Sequence, residues 1–325
     1  MEIEKEFDSA GLTLRGSLRM AEIPDVDSTT QGTQPNPLVL IIPGSGELDR
    51  NANGARIQLN IYNSLAEQLA ESGVSSFRYD KRGCAQSDGS FQETGFYDLL
   101  DDARSCLAAL PNFEEVQGAP VFLLGHSEGT LIASLLSIEN PDTNGQILIT
   151  PFLSSIEKTI ERQMQSTLAE LKQLPGIKGF MVRIFLTVGG NQLTKQRRIM
   201  ERVKRSRTDT IKVKKTVVNA KWLREHMEID PAKIHSQVKV ATLSIGGEKD
   251  MQCLPEDSEN IAELIKAPVD AHLLTDLTHI LRPDEKPAST FRYTELAREP
   301  VDARICELVA NWIKQKQSGT AISTR

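Results

Sequence analysis

Short apolar runs alternate with amphipathic stretches along most of the chain, and that alternation carries the fold prediction. PLVLII, VSSFRYD, APVFLLG and GQILIT have the length and content of buried strands. Between them lie NIYNSLAEQLAESG, FYDLLDDARSCLAALPNF and GTLIASLLSIE, which read as helices of about three turns. Strands apolar on both faces and separated by helices predict an α/β fold with a doubly wound, mostly parallel sheet. Ahead of this series, EKEFDSAGLTLRGSLRM alternates around an Ala-Gly pair and predicts a β-hairpin. The polar stretch DVDSTTQGTQPNP that follows has the composition of a surface loop.

The pattern breaks after Pro151 and resumes near residue 238 with VKVATLSIGGEKD, PEDSENIAELIKA, VDAHLLTDLTH and a closing helix near EPVDARICELVANWIKQKQ. A single sheet interrupted by an insertion accounts for this. Residues 1–151 and 238–325 would form the core, and residues 152–237, without a strand of the buried type, a helical cap. Residues 152–239 carry 19 Lys and Arg against 8 Asp and Glu, although the whole 325-residue chain has a net charge of −6. Within the insertion, KQRRIMERVKRSRTDTIKVKK reads as the solvated faces of two helices. A cap whose positive field attracts an anionic substrate is the sharper alternative.

Composition narrows the classes further. Apolar residues at 39% and charged residues at 25% are those of an ordinary soluble protein, and the net negative charge gives no reason to expect nucleic acid as a partner. The start, MEIEKEFDSAG, has neither a basic segment nor an apolar one, and no apolar run is long enough to cross a bilayer. A cytoplasmic location and no membrane partner are the expectations. Cys84, Cys106, Cys253 and Cys306 lie far apart, without CxxC or His-paired spacing, which predicts reduced thiols and no metal site.

APVFLLGHSEGTLIASLLS is the most informative stretch. Its Gly125-His126-Ser127-Glu128-Gly129 is a G-x-S-x-G placed directly after a predicted strand and before a predicted helix. Such a turn strains the serine backbone, and the flanking glycines remove Cβ atoms that would collide with neighbouring segments. Ser127 is therefore the candidate nucleophile, and a serine needs a histidine base and an acid to orient that base. His126 is expected to pack away from the nucleophile, His226 and His235 to lie on the surface, and His272 to belong to a strand. His279, in LLTDLTHILR just past an apolar run, remains as the base, because a doubly wound sheet presents its reactive groups on loops at the C-terminal ends of strands. Asp250 follows the Gly-Gly that ends VATLSIGG and is the preferred acid, with Glu248 and Asp276 as weaker rivals. The chain order Ser127, Asp250, His279 is that of one hydrolase class.

These pieces resemble the α/β-hydrolase superfamily, and PGSGELDRN, YDKRGCAQSDG, GHSEG, GGEKD and LTHILR are similar to its bacterial serine esterase branch related to dienelactone hydrolases and prolyl-oligopeptidase-like catalytic domains. The resemblance covers residues 38–151 and 238–325 and leaves the cap unmatched. It implies a triad of Ser127, Asp250 and His279. It also implies an oxyanion hole from the N–H of Glu128 and an N–H of the loop after PLVLII, at Ser45, or at Gly46 if the register differs by one. Gly44, Ser45 and Gly46 keep that loop small, while Pro43 stands where the family usually has His. Ala85 stands where a second glycine is common. Asp80 and Arg82 would hold the neighbouring loop through charge-assisted hydrogen bonds or form a surface ion pair of little weight, and Asp49 and Arg50 face the same alternatives.

Acyl transfer from a small ester follows, with no metal and no cofactor. A thioesterase acting on a phosphate-bearing acyl carrier such as an acyl-CoA, a peptidase, and a hydrolase-fold protein that binds a ligand without turnover are the alternatives.

Overall fold

The computed structural model describes residues 1–22, 35–55, 57–188 and 190–318. Ten strands run in chain order as β1 (Glu2–Ser9), β2 (Leu12–Arg19), β3 (Leu38–Ile42), β4 (Ser75–Tyr79), β5 (Val121–His126), β6 (Gly145–Ile149), β7 (Thr210–Val213), β8 (Thr216–Asn219), β9 (Thr242–Gly247) and β10 (Val269–Leu274). The helices are α1 (Ile61–Glu71), α2 (Phe96–Ala109), α3 (Glu128–Glu139), α4 (Ile156–Gln173), α5 (Gly176–Val188), α6 (Gln192–Arg205), α7 (Ala220–Met227), α8 (Pro231–His235), α9 (Asp257–Leu264), α10 (Tyr293–Leu296) and α11 (Ala303–Ser318). Most of the polar stretch expected to be a surface loop, residues 25–34, lies outside the described residues.

Eight strands form one sheet in the order β1-β2-β4-β3-β5-β6-β9-β10. The six from β4 to β10 are parallel, and the antiparallel β1–β2 hairpin completes the edge beside β4. Ala10 and Gly11 close that hairpin with positive φ, the geometry a two-residue turn needs to match strand twist. Every residue of β3, β4, β6 and β9 is buried, as expected of parallel strands covered on both faces. The period of two divides them: Leu38, Leu40 and Ile42 of β3 face Phe96, Leu99 and Leu136, whereas Val39 and Ile41 face Leu65, Leu69, Val309 and Trp312. Each such side chain stabilises the fold by roughly 1.5–3 kcal/mol on burial.

The strand order reverses direction at β3, which pairs with β4 on one side and β5 on the other. Loops after β3 and β5 therefore flank a crevice at the C-terminal edge of the sheet, where α/β folds bind ligands. The insertion between β6 and β9 is α4 to α8 together with β7 and β8, and its outer part has a small core of its own, built on Met200, Val203, Ile211, Ala220 and Leu223. It departs from the expected helical cap at residues 210–219, where the tail of the charge run forms an antiparallel ribbon instead of a helix. The reason is local. Thr210, Ile211, Val213, Thr216, Val217 and Val218 are β-branched, and Lys214 supplies a positive φ at the turn. Among the described residues no helix is long and apolar enough to cross a membrane.

His235 is a second departure. Instead of lying on the surface it is fully buried in α8, where Nδ1 is 3.0 Å from the Ser134 hydroxyl of α3. Burial pushes its pKa from 6.5 down to about 4. The unfolded chain takes up this proton near pH 6.5 while the folded form resists it, so stability falls as pH drops from 6.5 towards 4. Thermal melts between about pH 7 and about pH 4.5 are expected to show this loss, at about 1.4 kcal/mol per unit of pKa difference. His235→Gln should flatten the slope while lowering Tm near neutrality. An unchanged slope would mean that other groups govern the acid limb.

Candidate active site

Ser127 occupies the junction of β5 and α3 with φ 54° and ψ −119°, a conformation costing of order 1–3 kcal/mol for a residue with a side chain. The surrounding contacts impose it. A Cβ on Gly125 would lie 2.2 Å from the Gly129 carbonyl oxygen, and one on Gly129 would lie 2.2 Å from the Ile42 oxygen and 2.9 Å from the Pro43 oxygen. Both glycines of G-x-S-x-G are thus required for β3, β5 and α3 to approach. The Ser127 N–H donates to the Ile149 carbonyl at 3.0 Å, and the serine stays half-buried while its neighbours are buried.

Asp250 and His279 arrive from the loops after β9 and β10. The Asp250 Oδ2 lies 2.8 Å from the His279 Nδ1, and Oδ1 accepts the N–H groups of Gln252 and Cys253 at 2.7 and 2.8 Å. Each loop is held by the other. A Cβ on Gly247 would meet the Leu277 oxygen at 2.2 Å, and the Lys249 N–H donates to that same oxygen at 3.0 Å. Buried Arg282 donates to the Ile280 and Leu59 carbonyls and fixes the far side of the His279 loop. Of the rival acids, Asp276 pairs with Arg304 and Glu248 is exposed. Cys253 lies close to Ser127, and burial pushes its thiol well above the ordinary value. Asp250, Cys253 and His279 bring ligand-type atoms within 4.8 Å of one another, but both Asp250 oxygens are already engaged and the thiol is held protonated.

The loop after β3 lies against Ser127: a Cβ on Gly44 would stand 3.2 Å from the His126 oxygen and 3.3 Å from the Ser127 Cβ. Gly44 donates its N–H to the Tyr62 hydroxyl at 2.8 Å, so this group is already used. Among the described residues the Ser45 N–H has no protein acceptor, and the Glu128 N–H opens α3, where no intrahelical acceptor exists. Buried Lys81, in YDKRGCAQSDG, donates to the carbonyls of Gly44 and Gly46 and so holds both oxygens of the loop after β3. Burial lowers its pKa, opposed by the Glu128 carboxylate.

His126 does more than pack. Its Nδ1 lies 3.0 Å from the Tyr62 hydroxyl and its Nε2 3.1 Å from the His279 carbonyl oxygen. One assignment satisfies every group: the Gly44 N–H donates to Tyr62, Tyr62 donates to Nδ1, and the Nε2–H donates to His279. Burial, and then the neighbouring His279, push the His126 pKa down to about 3, which keeps the ring in this neutral form. The loop after β3, helix α1, the elbow and the His279 loop are thereby linked through one side chain.

Glu128 is buried directly beneath the cap. Its Oε1 accepts from the Trp222 Nε1 at 2.6 Å and lies 2.8 Å from the His226 Nε2, both on α7. Burial pushes the carboxyl up, but the bond and charge of His226, the Lys81 ammonium and Trp222 outweigh it and hold the pKa below the ordinary value. His226, expected on the surface, is buried because α7 folds back over the elbow. The spacing of His226 and Trp222 on one helix face was the only available signal. Asp80 and Arg82 do not pair with each other. Asp80 binds Arg50 through backbone and guanidinium, and Arg82 binds Asp102 and the Asp98 carbonyl. Asp49 caps its own turn by accepting from Asn51 and Asn53. All four cysteines are free and buried.

Comparison with known proteins places this geometry in context. The family model for serine aminopeptidase, S33, matches residues 52–285, more than half of the chain. Esterase EstD of Thermotoga maritima is 24% identical over 313 residues, covering 95% of this chain and 68% of that protein. Among solved structures, ferulic acid-bound Est1E from Butyrivibrio proteoclasticus superposes with a TM-score of 0.57 at 16% identity, covering 97% of this chain and 98% of that one. Proline iminopeptidase of Mycobacterium smegmatis gives a TM-score of 0.59 at 14% identity over 98% of this chain and 100% of that one. The mostly parallel sheet and the family match agree: the chain belongs to the serine aminopeptidase S33 family of α/β-hydrolases.

Proposed function

We propose that the protein is a serine hydrolase cleaving carboxylic esters through Ser127, His279 and Asp250. The observation carrying this reading is the strained Ser127 on its elbow, hydrogen-bonded to Cys253, which lies within 4.8 Å of a His279–Asp250 pair that is itself at 2.8 Å. In the reaction the Ser127 Oγ attacks the ester carbonyl carbon while the His279 Nε2 takes its proton. The oxyanion lies against the N–H groups of Ser45 and Glu128, which point from a fixed loop and from the positive end of α3. The C–O bond then breaks, and the leaving alkoxide takes the proton from His279. Water repeats the sequence on the acyl-enzyme and releases the acid. Asp250 holds the Nδ1–H and so presents Nε2 to the serine. Tyr62 and His126 act as positioning residues, since they tie the oxyanion loop to the base.

Esterase EstD and Est1E support an ester substrate by likeness. Kinship to the dienelactone-hydrolase and prolyl-oligopeptidase-like branch rests on the motifs alone, since the matching family model is S33. The S33 match raises aminopeptidase activity as a second reading. Glu128, the carboxylate adjoining the nucleophile, is engaged by Trp222 and His226 through Oε1 alone, which leaves the choice between the two readings to turnover.

Hydrolysis of p-nitrophenyl esters from acetate to dodecanoate, beside prolyl p-nitroanilide, tests both readings. Activity on the esters that falls on the order of 10⁶-fold in Ser127→Ala supports the proposal. Preference for the anilide would replace it with the peptidase reading, and absence of turnover by folded protein would remove both. Tyr62→Phe, which leaves Gly44 N–H and His126 Nδ1 unpaired, should lower kcat about tenfold or more with KM little changed, alongside a stability loss of about 1–3 kcal/mol. A rise in KM at constant kcat would instead place Tyr62 in substrate binding.

A further inference from the structure

Ten large hydrophobic residues are exposed among those described, and six of them lie on one helix of the cap. Ile177, Phe180, Met181, Ile184, Phe185 and Val188 follow one another at steps of three and one along α5, which is a single helical face. Their exposures run from 44% at Ile184 to 84% at Val188. Scattered exposed apolar residues need no explanation, but a continuous face of this size marks an interaction surface.

The charge around the helix states what kind of partner it fits. From Lys172 to Arg205 the chain has nine Lys and Arg and one acidic residue, Glu201. Lys172 and Arg183 line the groove between α4, α5 and α6, a cavity of about 640 Å³ whose floor is Leu168, Leu186 and Leu193. Lys172, Arg198 and Arg202 are exposed and have no carboxylate partner among the described residues. A second copy of this chain would bring the same positive charge against itself, which opposes self-association. An anionic lipid surface meets both features at once, the apolar face entering the headgroup boundary and the basic residues binding headgroups.

We propose that the cap docks peripherally on anionic membranes through the apolar face of α5 and the basic residues around it. Thirteen residues of helix span about 20 Å, too short for the roughly 30 Å hydrocarbon core, so α5 lies in the interface instead of crossing it. Charge asymmetry orients the approach: residues 152–239 carry a net +11 and the remainder a net −17, so only the cap is drawn to the surface. α4 packs between α5 and the acid loop, where Arg162 and Gln163 donate to the Gln252 carbonyl. Docking would therefore set the membrane one helix away from the loop that carries Asp250.

Flotation of the purified full chain with vesicles tests this without reference to catalysis. The probes are vesicles of phosphatidylcholine alone and vesicles with one third phosphatidylglycerol, each at low and high salt. Binding is expected to the anionic vesicles only, and to weaken with salt. Paired changes Phe180→Asp with Phe185→Asp, and Arg198→Glu with Arg202→Glu, should each reduce it at least about tenfold while Tm stays within a few degrees of wild type. Equal binding to both vesicles, binding to neither, or binding indifferent to the Phe pair would overturn the proposal. So would a dimer in size-exclusion chromatography that the Phe pair dissociates, because a second copy would then cover the face.

Discussion

The close approach of β3, β5 and α3 is the constraint on which the site depends. Two carbonyl contacts at 2.2 Å from notional Cβ positions show that no side chain fits at Gly125 or Gly129. Ser127 is caught between them and takes a conformation that L-residues avoid. The strain is sustained because the buried strands β3, β4, β6 and β9 and the helices on both faces hold the surrounding segments in place. Their apolar burial is large beside the few kcal/mol stored in one residue.

What the elbow presents is then made useful by polar connections between loops. His126 joins the β3 loop, through Tyr62, to the His279 carbonyl, and Lys81 gathers the carbonyls of Gly44 and Gly46. In a buried setting such bonds are costly to break, so the network favours one arrangement of the loops over its neighbours. Pro43, in the position where the superfamily often has His, is accommodated within this scheme: Tyr62 and Lys81 hold the backbone that follows it, at Gly44 and Gly46. Glu128 extends the network to the cap, since Trp222 and His226 reach it from α7. The residue whose N–H opens α3 is thus also the residue to which the cap is fastened.

The cap has two different faces. Towards the core it is polar and specific, with Asn219 donating to the Phe91 and Thr94 carbonyls and Lys221 paired to Asp98. Away from the core it exposes the apolar side of α5 amid excess positive charge. Neither face is accounted for by the small internal core built on Met200, Val203 and Leu223.

Local pattern was enough to read the mostly parallel sheet and the helices that flank it, because strand and helix periodicities are properties of short segments. It also makes Ser127, Asp250 and His279 candidates, since each follows a strand and so emerges at the same edge of a parallel sheet. It failed where side chains separated by long stretches of chain meet. His226 and His235 looked like surface residues within a charged insertion, yet 98 and 101 residues separate them from Glu128 and Ser134, the partners against which they are buried. The ribbon of β7 and β8 is masked in the sequence by its lysines, whose charge suits a solvated helix as well as a strand. A histidine beside an elbow, such as His126, has no partner that spacing can identify. Only the folding of α1 and the His279 loop to within 3.1 Å of its ring supplies one. Long-range polar contacts and the exposure of α5 are properties of packed surfaces, and no period along the chain encodes them.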